Sequence, residues 1–461
     1  MFVNLTSRTS LYILSVLLVF ALLSGAAHMN HSPPLALAQF SDDAFDPSIA
    51  DQHANFTVVP STDFSADPTS GPAPLQVQFT DKSTSNPTGW AWYFGDEAFD
   101  EPWTQLTDGA QWAARDNHTS VVLADGSIVL MGGHYYSAGR FYVNDVWRSI
   151  DQGATWTQMT AAAGWRGRDG HTSVVLPDGS IVVISGHYSL GYGYIYLNDV
   201  WRSTDQGATW MQMTDAPPWT GRAGHTSVVL PDGSIVLMGG IDGPMNWRND
   251  VWRSTDQGAT WMLMTAAAPW SARTSHSSVV LPDGSIVLMG GHDGSRRNDV
   301  WRSTDQGSSW TQMTAGAPWT TRSGHTCVAL PDGNIVLMGG FDTSYQRDVW
   351  RSTDQGATWT QMTAAAGWRS RVDHSSVALP DGSIVLMGGR GGYEFYLNDV
   401  WRLETAGSSE QHPMHAYTKP GTYSVALQAY NADGFSSLRK VAYINVTGTE
   451  AYLIYLPLLL R

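Results

Sequence analysis

Short apolar runs separated by Asp-Gly turns recur along the central part of the chain. In the segment HTSVVLPDGSIVLMGG, which begins at His225, the run VVL is followed by the turn PDG and then by the run IVLM. Two apolar runs joined by an Asp-Gly turn predict a β-hairpin. Near copies of this segment begin at five further histidines, which are His118, His171, His276, His325 and His374. The pattern therefore predicts six hairpins of one design.

Each hairpin is followed by further strand segments in a constant frame. DVWR follows all six copies, and WTQM or a near copy follows five of them. Four short strands per unit, repeated six times, are typical of a β-propeller. Successive histidines are 53, 54, 51, 49 and 49 residues apart, and the loop between the second and third strands has 10, 11, 8, 6 and 6 residues. Subtracting the loop leaves 43 residues each time, so this one loop carries all the length variation.

The last unit lacks its fourth strand. It ends NDVWRLETAGSS, whereas the segment WTQLT at Trp103 precedes the first unit and belongs to none. We expect the Trp103 strand to complete the sixth blade, because this closes the ring and removes an exposed edge. Such closure places residues near 101 and 405 side by side.

The repeated units resemble kelch repeats in their His, their Gly pair, the NDVW strand and the later Trp. A second resemblance overlays this one: STDQGATW at Ser203, Ser254 and Ser352 matches the Asp-box (BNR repeat), Ser-x-Asp-x-Gly-x-x-Trp, of sialidase-like propellers. This motif implies a structural hairpin between the third and fourth strands. The two resemblances together imply a six-bladed kelch-like propeller over residues 101–405.

Alternation on both sides of the repeats predicts a second, smaller β domain. Leu75, Val77 and Phe79 occupy alternate positions before the repeats, and apolar residues alternate again after them, from 423 to 429. Alternate apolar positions are typical of sandwich strands, in which one face is buried.

The segments GPAPLQVQFTD, WYFGD and HAYTKPGTYSV resemble the polycystic-kidney-disease (PKD) domain, an Ig-like sandwich. Tyr93 and Glu97 depart from the usual Trp-Asp-Phe-Gly-Asp-Gly of that family, which affects the details of the turn. The resemblance implies a sandwich with halves at residues 62–98 and 411–447. The predicted fold class is all-β, with the six-bladed propeller inserted into this discontinuous Ig-like sandwich.

Targeting signals are predicted at the N-terminus. Arg8 precedes the apolar run LYILSVLLVFALL, and small residues follow as SGAA and ALA. This pattern is typical of a secretory signal peptide within residues 1–38, cleaved near 27 or after 38, and it disfavours an uncleaved anchor. Residues 39–61 then form a linker, and we expect a secreted or cell-surface protein. The apolar tail at 448–461 is too short to span a bilayer, and its role stays open.

Composition narrows the function classes further. Charged residues make up 15% of the 461 positions, with a formal net charge of −15. Nucleic-acid affinity depends on Lys and Arg that neutralise phosphates, so we expect no nucleic-acid partner. Cys327 is the only cysteine, so no disulfide forms within this chain.

The motif Trp-x-x-Arg-x-x-His precedes every hairpin. Six arginines near the starts of the inner strands would ring the mouth of the channel and hold an acidic ligand. The alternative is that each blade needs the same Arg and Trp for packing, and strict repetition favours that alternative. These candidate ligand-binding residues are Arg115, Arg168, Arg222, Arg273, Arg322 and Arg371.

The variable loops between second and third strands supply the other candidates. They are rich in Tyr, Trp and Arg, which are enriched at binding hot spots, and flat aromatic faces suit sugar rings. The alternative is that some of these tyrosines cap the sheets. The candidates are Tyr135, Tyr136, Tyr192, Tyr194, Trp247, Arg296, Arg297, Tyr345 and Tyr393.

No catalytic motif, metal site or cofactor site is predicted. Only Tyr393 and Glu394 hint at the Tyr–Glu pair of sialidases, and Cys327 is better explained as a buried thiol than as the crosslinked Cys of galactose oxidase. We therefore predict an exported, non-catalytic binding or adhesion protein that recognises a glycan or an extracellular protein through its variable loops, with the PKD-like domain as spacer or interaction module. The alternative is a glycan-active enzyme of the sialidase-like or galactose-oxidase-like propeller type. The oligomeric state is left open.

Overall fold

A computed structural model of the chain describes residues 58–98, 102–191, 193–392 and 395–448. Within these ranges, every helix or strand element is a β-strand. The predicted signal segment, most of the linker and nearly all of the C-terminal tail lie outside the described residues. So do Tyr192, Tyr393 and Glu394. None of the described residues forms a helix long and apolar enough to cross a membrane.

Two small sheets are built from the segments that flank the repeats. The three-stranded sheet contains β1 (Phe64–Asp67), β3 (Leu75–Asp81) and β31 (Met414–Tyr417). The four-stranded sheet contains β2 (Ser70–Pro72), β4 (Gly89–Tyr93), β32 (Gly421–Asn431) and β33 (Gly434–Thr447), in the order β2-β33-β32-β4. The two sheets share one buried core, which includes Phe64, Val77, Phe79, Trp92 and Leu427.

Six further sheets, each of four antiparallel strands, form the rest of the described chain. The first contains β6 (Thr119–Val122), β7 (Ile128–Met131), β10 (Val146–Ser149) and β11 (Thr157–Thr160), with a short hairpin of β8 (His134–Tyr136) and β9 (Arg140–Tyr142) between its second and third strands. The second contains β12 (Thr172–Val175), β13 (Ile181–Ser189), β14 (Tyr194–Ser203) and β15 (Met211–Thr214). The third contains β16 (Thr226–Val229), β17 (Ile235–Ile241), β18 (Trp247–Ser254) and β19 (Met262–Thr265).

The remaining three sheets follow the same order. The fourth contains β20 (Ser277–Val280), β21 (Ile286–Met289), β22 (Val300–Ser303) and β23 (Thr311–Thr314). The fifth contains β24 (Thr326–Ala329), β25 (Ile335–Met338), β26 (Val349–Ser352) and β27 (Thr360–Thr363). The sixth contains β28 (Ser375–Ala378), β29 (Ile384–Arg390), β30 (Tyr396–Leu403) and β5 (Thr104–Thr107).

The second strand of each of these sheets explains the unbroken apolar run in the repeats. In β7, all four residues from Ile128 to Met131 are fully buried, and the equivalent four residues are buried in the other five sheets. A strand that packs against a neighbouring sheet on each of its faces has no solvent side, so its residues do not alternate.

The sheets are linked side by side into a closed ring. His171 Nε2 lies 3.0 Å from Thr119 Oγ1 of the preceding inner strand, and the last and first units are joined in the same way by Ser375 Oγ and His118 Nε2 at 2.9 Å. The predicted closure is confirmed, because β5 pairs with β30 through Trp401 opposite Gln105. The ring therefore has no unpaired fourth-strand position in its sixth sheet.

The chain leaves the small sheets and returns to them at one place. Trp92 in β4 donates its backbone N–H to Ser408 at 2.9 Å and accepts from Gly407 at 2.7 Å. The small sheets also contact the end of the ring that carries the Asp-Gly turns, since Gln428 Nε2 donates to the Pro380 carbonyl at 2.7 Å. The variable loops join the second and third strands at the opposite end of the ring from these contacts.

Candidate functional site

The six repeated arginines lie inside the ring sheets, not at the mouth of the channel. Arg168 is representative: its Nη1 and Nη2 donate to Asp199 at 2.6 and 2.7 Å, and Nη1 also donates to the Ser185 carbonyl at 2.8 Å. Its side chain is 0% exposed. The same two-pronged pairing joins Arg115–Asp145, Arg222–Asp250, Arg273–Asp299, Arg322–Asp348 and Arg371–Asp399.

This arrangement corrects the expectation that the repeated arginines hold an acidic ligand. Each guanidinium is already bonded to a carboxylate and a backbone carbonyl of its own sheet, and it is shielded from solvent. A buried pair of this kind holds the start of the inner strand to the third strand. The packing alternative, which strict repetition favoured, agrees with this geometry.

The axis of the ring is narrowed by a circle of backbone hydrogen bonds. The residue just before each repeated histidine donates its N–H to the equivalent carbonyl of the preceding unit, over distances of 2.7 to 3.3 Å, and the first unit donates to the last. All six residues adopt left-handed backbone angles, with φ between 51° and 63°. They are Asn117, Gly170, Gly224, Ser275, Gly324 and Asp373. A ligand on the variable-loop face therefore meets a floor of peptide groups at the axis.

The layer between this floor and the variable loops is where the units differ in charge. Each unit contributes two bridged residues, one two places before the repeated histidine and one just after the Gly pair. The pairs are Asp116–His134, Asp169–His187, Ala223–Ile241, Thr274–His292, Ser323–Phe341 and Val372–Arg390. Charge is thus concentrated on the side formed by the first, second and sixth units.

Two buried carboxylates and two histidines form the acid–histidine cluster. His134 Nδ1 lies 2.9 Å from Asp116 Oδ1 and 2.6 Å from Asp169 Oδ2, and His187 Nδ1 lies 3.1 Å from Asp169 Oδ1. Burial opposes the charged form of His134, yet the two carboxylates outweigh it and raise its pKa to about 9. Burial lowers the pKa of His187, with Asp169 opposing and the positive charges of His134 and Arg140 assisting. One carboxylate therefore bridges a charged imidazole and a neutral one.

Aromatic residues of the first two variable loops surround this cluster. Tyr135 stacks on Phe141 with ring centroids 5.3 Å apart, and Arg140 Nη1 donates to Tyr194 Oη at 3.2 Å. Tyr136 and Tyr194 are about half exposed, at 45% and 51%. Three of the candidate tyrosines therefore lie together on one side of the face, next to the charged layer.

A depression of about 270 Å³ lies over the fourth, fifth and sixth units of the same face. Its lining includes Arg296, Phe341, Tyr345, Asp373 and Arg390. Arg296 places its guanidinium 4.5 Å from the centre of the Phe341 ring, and Phe341 packs edge-on against Tyr345 at 5.1 Å. The structure thus brings together two of the predicted loop candidates, Arg296 and Tyr345, with three residues that were not predicted.

The remaining loop candidates are placed differently. Trp247 packs near His292 with ring centroids 5.8 Å apart, and it is half-buried. Arg297 is bonded to Asp293 at 2.7 Å. Tyr192 and Tyr393 fall outside the described residues, as does the hinted sialidase partner Glu394.

The metal-dependent alternative depends on the ligands that the described part of the chain offers. No group of three or more His, Cys, Asp or Glu residues there is arranged to hold a metal ion. Cys327 Sγ contacts Met289 Sδ at 3.2 Å and also shares a hydrogen bond with the Ser277 side chain.

Sequence reasoning missed the charged layer. Asp116, Asp169, His134, His187 and Arg390 were not predicted as site residues, although the six units differ from one another at both of these positions. The signal was present in the aligned units, where the position two before the repeated histidine reads Asp, Asp, Ala, Thr, Ser and Val. A comparison of the six units at the positions where they differ, as well as at those they share, would have found the charged layer.

Comparisons with known proteins agree on the fold. The model of the attractin/LZTR1 β-propeller family matches residues 97–350. An F-box/kelch-repeat protein of Arabidopsis thaliana is 27% identical over 151 residues, which are 30% of this chain and 30% of that protein. The solved structure of YjhT aligns with a TM-score of 0.54 at 15% identity and covers 67% of this chain and 99% of YjhT. The Arabidopsis relative is matched over less than a third of its length, and YjhT is similar in fold alone.

Proposed function

Because the chain belongs to the attractin/LZTR1 β-propeller family, we propose that it is a non-catalytic binding protein that recognises a glycan or an extracellular protein on the variable-loop face. The observation that carries this proposal is the break in the repeats at that face. The rest of each unit is constant, whereas the layer beneath the variable loops changes from carboxylates and histidines on one side to Ile241 and Phe341 on the other.

The proposal includes the organisation of the chain. The ring would be a six-bladed kelch-type propeller with Asp-box hairpins, inserted into a PKD-like sandwich. In support, Ser149 Oγ accepts from the Gly153 N–H at 2.8 Å, and Asp151 Oδ1 accepts from the Thr155 N–H at 2.9 Å, which ties the hairpin as an Asp-box requires. The adjacency of Trp92 and Ser408 supports the insertion.

The sandwich would act as a spacer or a second contact. It packs against the Asp-Gly-turn end of the ring, where Tyr93 Oη donates to the Gly382 carbonyl at 3.3 Å. The binding face is thereby directed away from the sandwich. Export by the N-terminal segment and display at the cell surface or in the medium belong to the same proposal.

A binding screen tests the proposal. The full chain is probed against immobilised glycans and a panel of extracellular proteins. Replacement of Tyr136, Tyr194 and Trp247 together by Ala should abolish the signal, because the triple variant strips exposed or half-exposed rings from the variable-loop face. Thr304→Ala, an exposed residue on the opposite end of the ring, is the matched control and should bind as the parent does. Binding that survives the triple variant and Arg390→Gln would place recognition elsewhere.

A glycan-active enzyme is the second candidate, and one observation favours it. Around Asp169, the pKa of His134 is raised while that of His187 is lowered, and such a separation is typical of acid and base pairs in active sites. Glycosidase and oxidase assays on the same glycans separate the two functions. Turnover that is lost in His187→Gln would overturn the non-catalytic proposal.

A further inference from the structure

The depression on the variable-loop face contains a cation that lacks an acidic partner. Arg296 lies over the Phe341 ring at 4.5 Å, and its Nε atom is buried without a hydrogen-bond partner. Among the described residues no carboxylate lies within ion-pair distance of it. The neighbouring Arg297, in contrast, is bonded to Asp293 at 2.7 Å. A buried donor without an acceptor is costly, which indicates that a ligand atom completes the site.

A second guanidinium borders the same space and is only loosely held. Arg390 Nε lies 3.4 Å from Asp116 Oδ2, and its Nη2 lies 3.7 Å from Asp373 Oδ2. The repeated Arg–Asp pairs are much tighter, with N···O distances of 2.6 to 2.9 Å. Arg390 therefore retains donors that can turn to an incoming acceptor.

The Asp373 carboxyl group beside Arg390 is protonated more easily than an ordinary aspartate. Burial raises the pKa of Asp373 to about 7, and the Asp116 carboxylate adds to the effect. Arg390 and His134 oppose the shift, and the more distant Asp169 assists it. These four groups exert the largest charge effects on Asp373, and the Arg296 guanidinium borders the same depression. Near neutral pH the depression therefore holds two guanidinium groups against a carboxyl group that is partly protonated.

The remaining wall is aromatic and small. Tyr345 and Phe341 meet edge-on at 5.1 Å, and the space of about 270 Å³ accommodates one ring of monosaccharide size. Aromatic faces pack against the apolar faces of sugar rings, and guanidinium groups pair with carboxylates in a planar, two-pronged geometry. A neutral sugar would use the aromatic wall and offer Arg296 hydroxyl oxygens as acceptors, but it has no carboxylate to pair with the two guanidinium groups.

We propose that this depression binds the carboxylate of an acidic sugar ring of the hexuronic acid class, paired with Arg296 and Arg390, and that Asp373 takes up a proton as the ligand enters. The inference rests on the proposed binding function and names its ligand class. An anion placed beside Asp373 repels its charged form, so binding and proton uptake are coupled. Affinity should then fall as the pH rises through the pKa of Asp373.

Titration calorimetry with the full chain tests the ligand class. The probes are glucuronate and galacturonate oligosaccharides, each compared with its methyl ester, which keeps the ring and removes the charge. The acid should bind at least about tenfold more tightly than the ester. Arg296→Gln should remove this preference and leave ester binding within about threefold. Arg347→Gln, an exposed arginine two residues from Tyr345, is the matched control and should match the parent.

The pH dependence tests the role of Asp373. The sugar carboxylate is ionised at both pH 5.5 and pH 8.0, so a change between them reports on the protein. The parent should bind the acid more weakly at pH 8.0 by up to about tenfold per pH unit above the pKa. Asp373→Asn, which keeps the shape without the charge, should bind about equally at both pH values. A pH dependence that persists in Asp373→Asn would overturn the proton coupling.

The outcomes also separate this inference from the proposed function. Equal affinity for acid and ester, with loss of both in the triple variant, would overturn the acidic ligand and keep the binding function. A preference for sulfated over carboxylated sugars would likewise overturn the assigned class. Failure of every glycan and every protein to bind the parent would overturn both.

Discussion

The carboxylate of Asp169 lies 2.6 Å from the Nδ1 atom of His134, across the boundary between the first and second ring sheets. Both side chains are 3% exposed. Within each unit the strands are held by contacts that repeat, but this ion pair occurs between two particular units. It gives this part of the variable-loop face a buried network of carboxylates and imidazoles.

The first prediction concerns stability at alkaline pH. The folded-state pKa of His134 is about 9, above the usual value of about 6.5. Its contribution is fully present below about pH 6.5 and is lost as the pH rises through about 9, and it amounts to about 3 kcal/mol at most. Urea unfolding between pH 6.5 and 9.5 should therefore show a steeper loss of stability in the parent than in His134→Gln. His187→Gln is the control and should follow the parent. Parallel curves for the parent and His134→Gln would contradict the raised pKa.

The second prediction concerns stability at acid pH. Burial lowers the pKa of the repeated histidines, to about 3 in His118, His171, His276 and His325. The unfolded chain takes up protons near pH 6.5 and the folded chain does not, so stability falls as the pH drops below that value. Each histidine lowers the free energy of unfolding by up to about 1.4 kcal/mol for every pH unit below that value.

Calorimetric unfolding at pH 5.5, in buffers of different ionisation enthalpy, counts the protons taken up. At pH 5.5 most unpaired carboxylates are ionised in both the folded and the unfolded chain, so they add little to the proton count. The parent should take up several protons, and His276→Gln should take up about one fewer. No net uptake on unfolding would mean that these histidines are charged inside the fold.

The third prediction concerns the repeated Arg–Asp pairs. Arg168→Met leaves the Asp199 carboxylate partly buried and unpaired, which should cost about 3–5 kcal/mol of unfolding free energy. Arg202→Met is the matched control from the same unit, because its partner Asp178 is 42% exposed. Exposed pairs contribute about 0–1 kcal/mol. Denaturant titration compares the two variants, and equal costs would contradict a structural role for the buried pair.

The fourth prediction concerns closure of the ring. Trp103 is 8% exposed and meets Trp368 edge-on at 6.0 Å. Trp103→Ala should destabilise by about 3–5 kcal/mol, since it empties a buried aromatic site beside the closing strand. Amide exchange should become faster around Val400–Arg402, which pairs with that strand. Trp261→Ala removes the equivalent Trp of the third unit and is the control, because it should leave exchange in the sixth sheet unchanged.

Much of the fold could be predicted because it depends on local patterns that repeat. The apolar runs and Asp-Gly turns predict the first two strands, and the constant 43-residue frame predicts four strands per unit. The unmatched WTQLT segment predicts the pairing of β5 with β30. In these cases the hydrophobic pattern and the turn residues are sufficient to predict the strand pairing. Each strand pairs either with a neighbour in sequence or, in the case of β5, at the missing fourth-strand position of the sixth sheet.

The sequence by itself determined which residues repeat, but only the tertiary structure decided what they contact. Arg168 and Asp199 are 31 residues apart, and their pairing turned a predicted ligand contact into a structural one. Asp169 and His134 belong to different units, and Arg390 belongs to the last unit whereas Asp116 belongs to the first. Such contacts form only when the ring closes and brings unlike units side by side. The order of residues along the chain does not give the distance in space between side chains of different units.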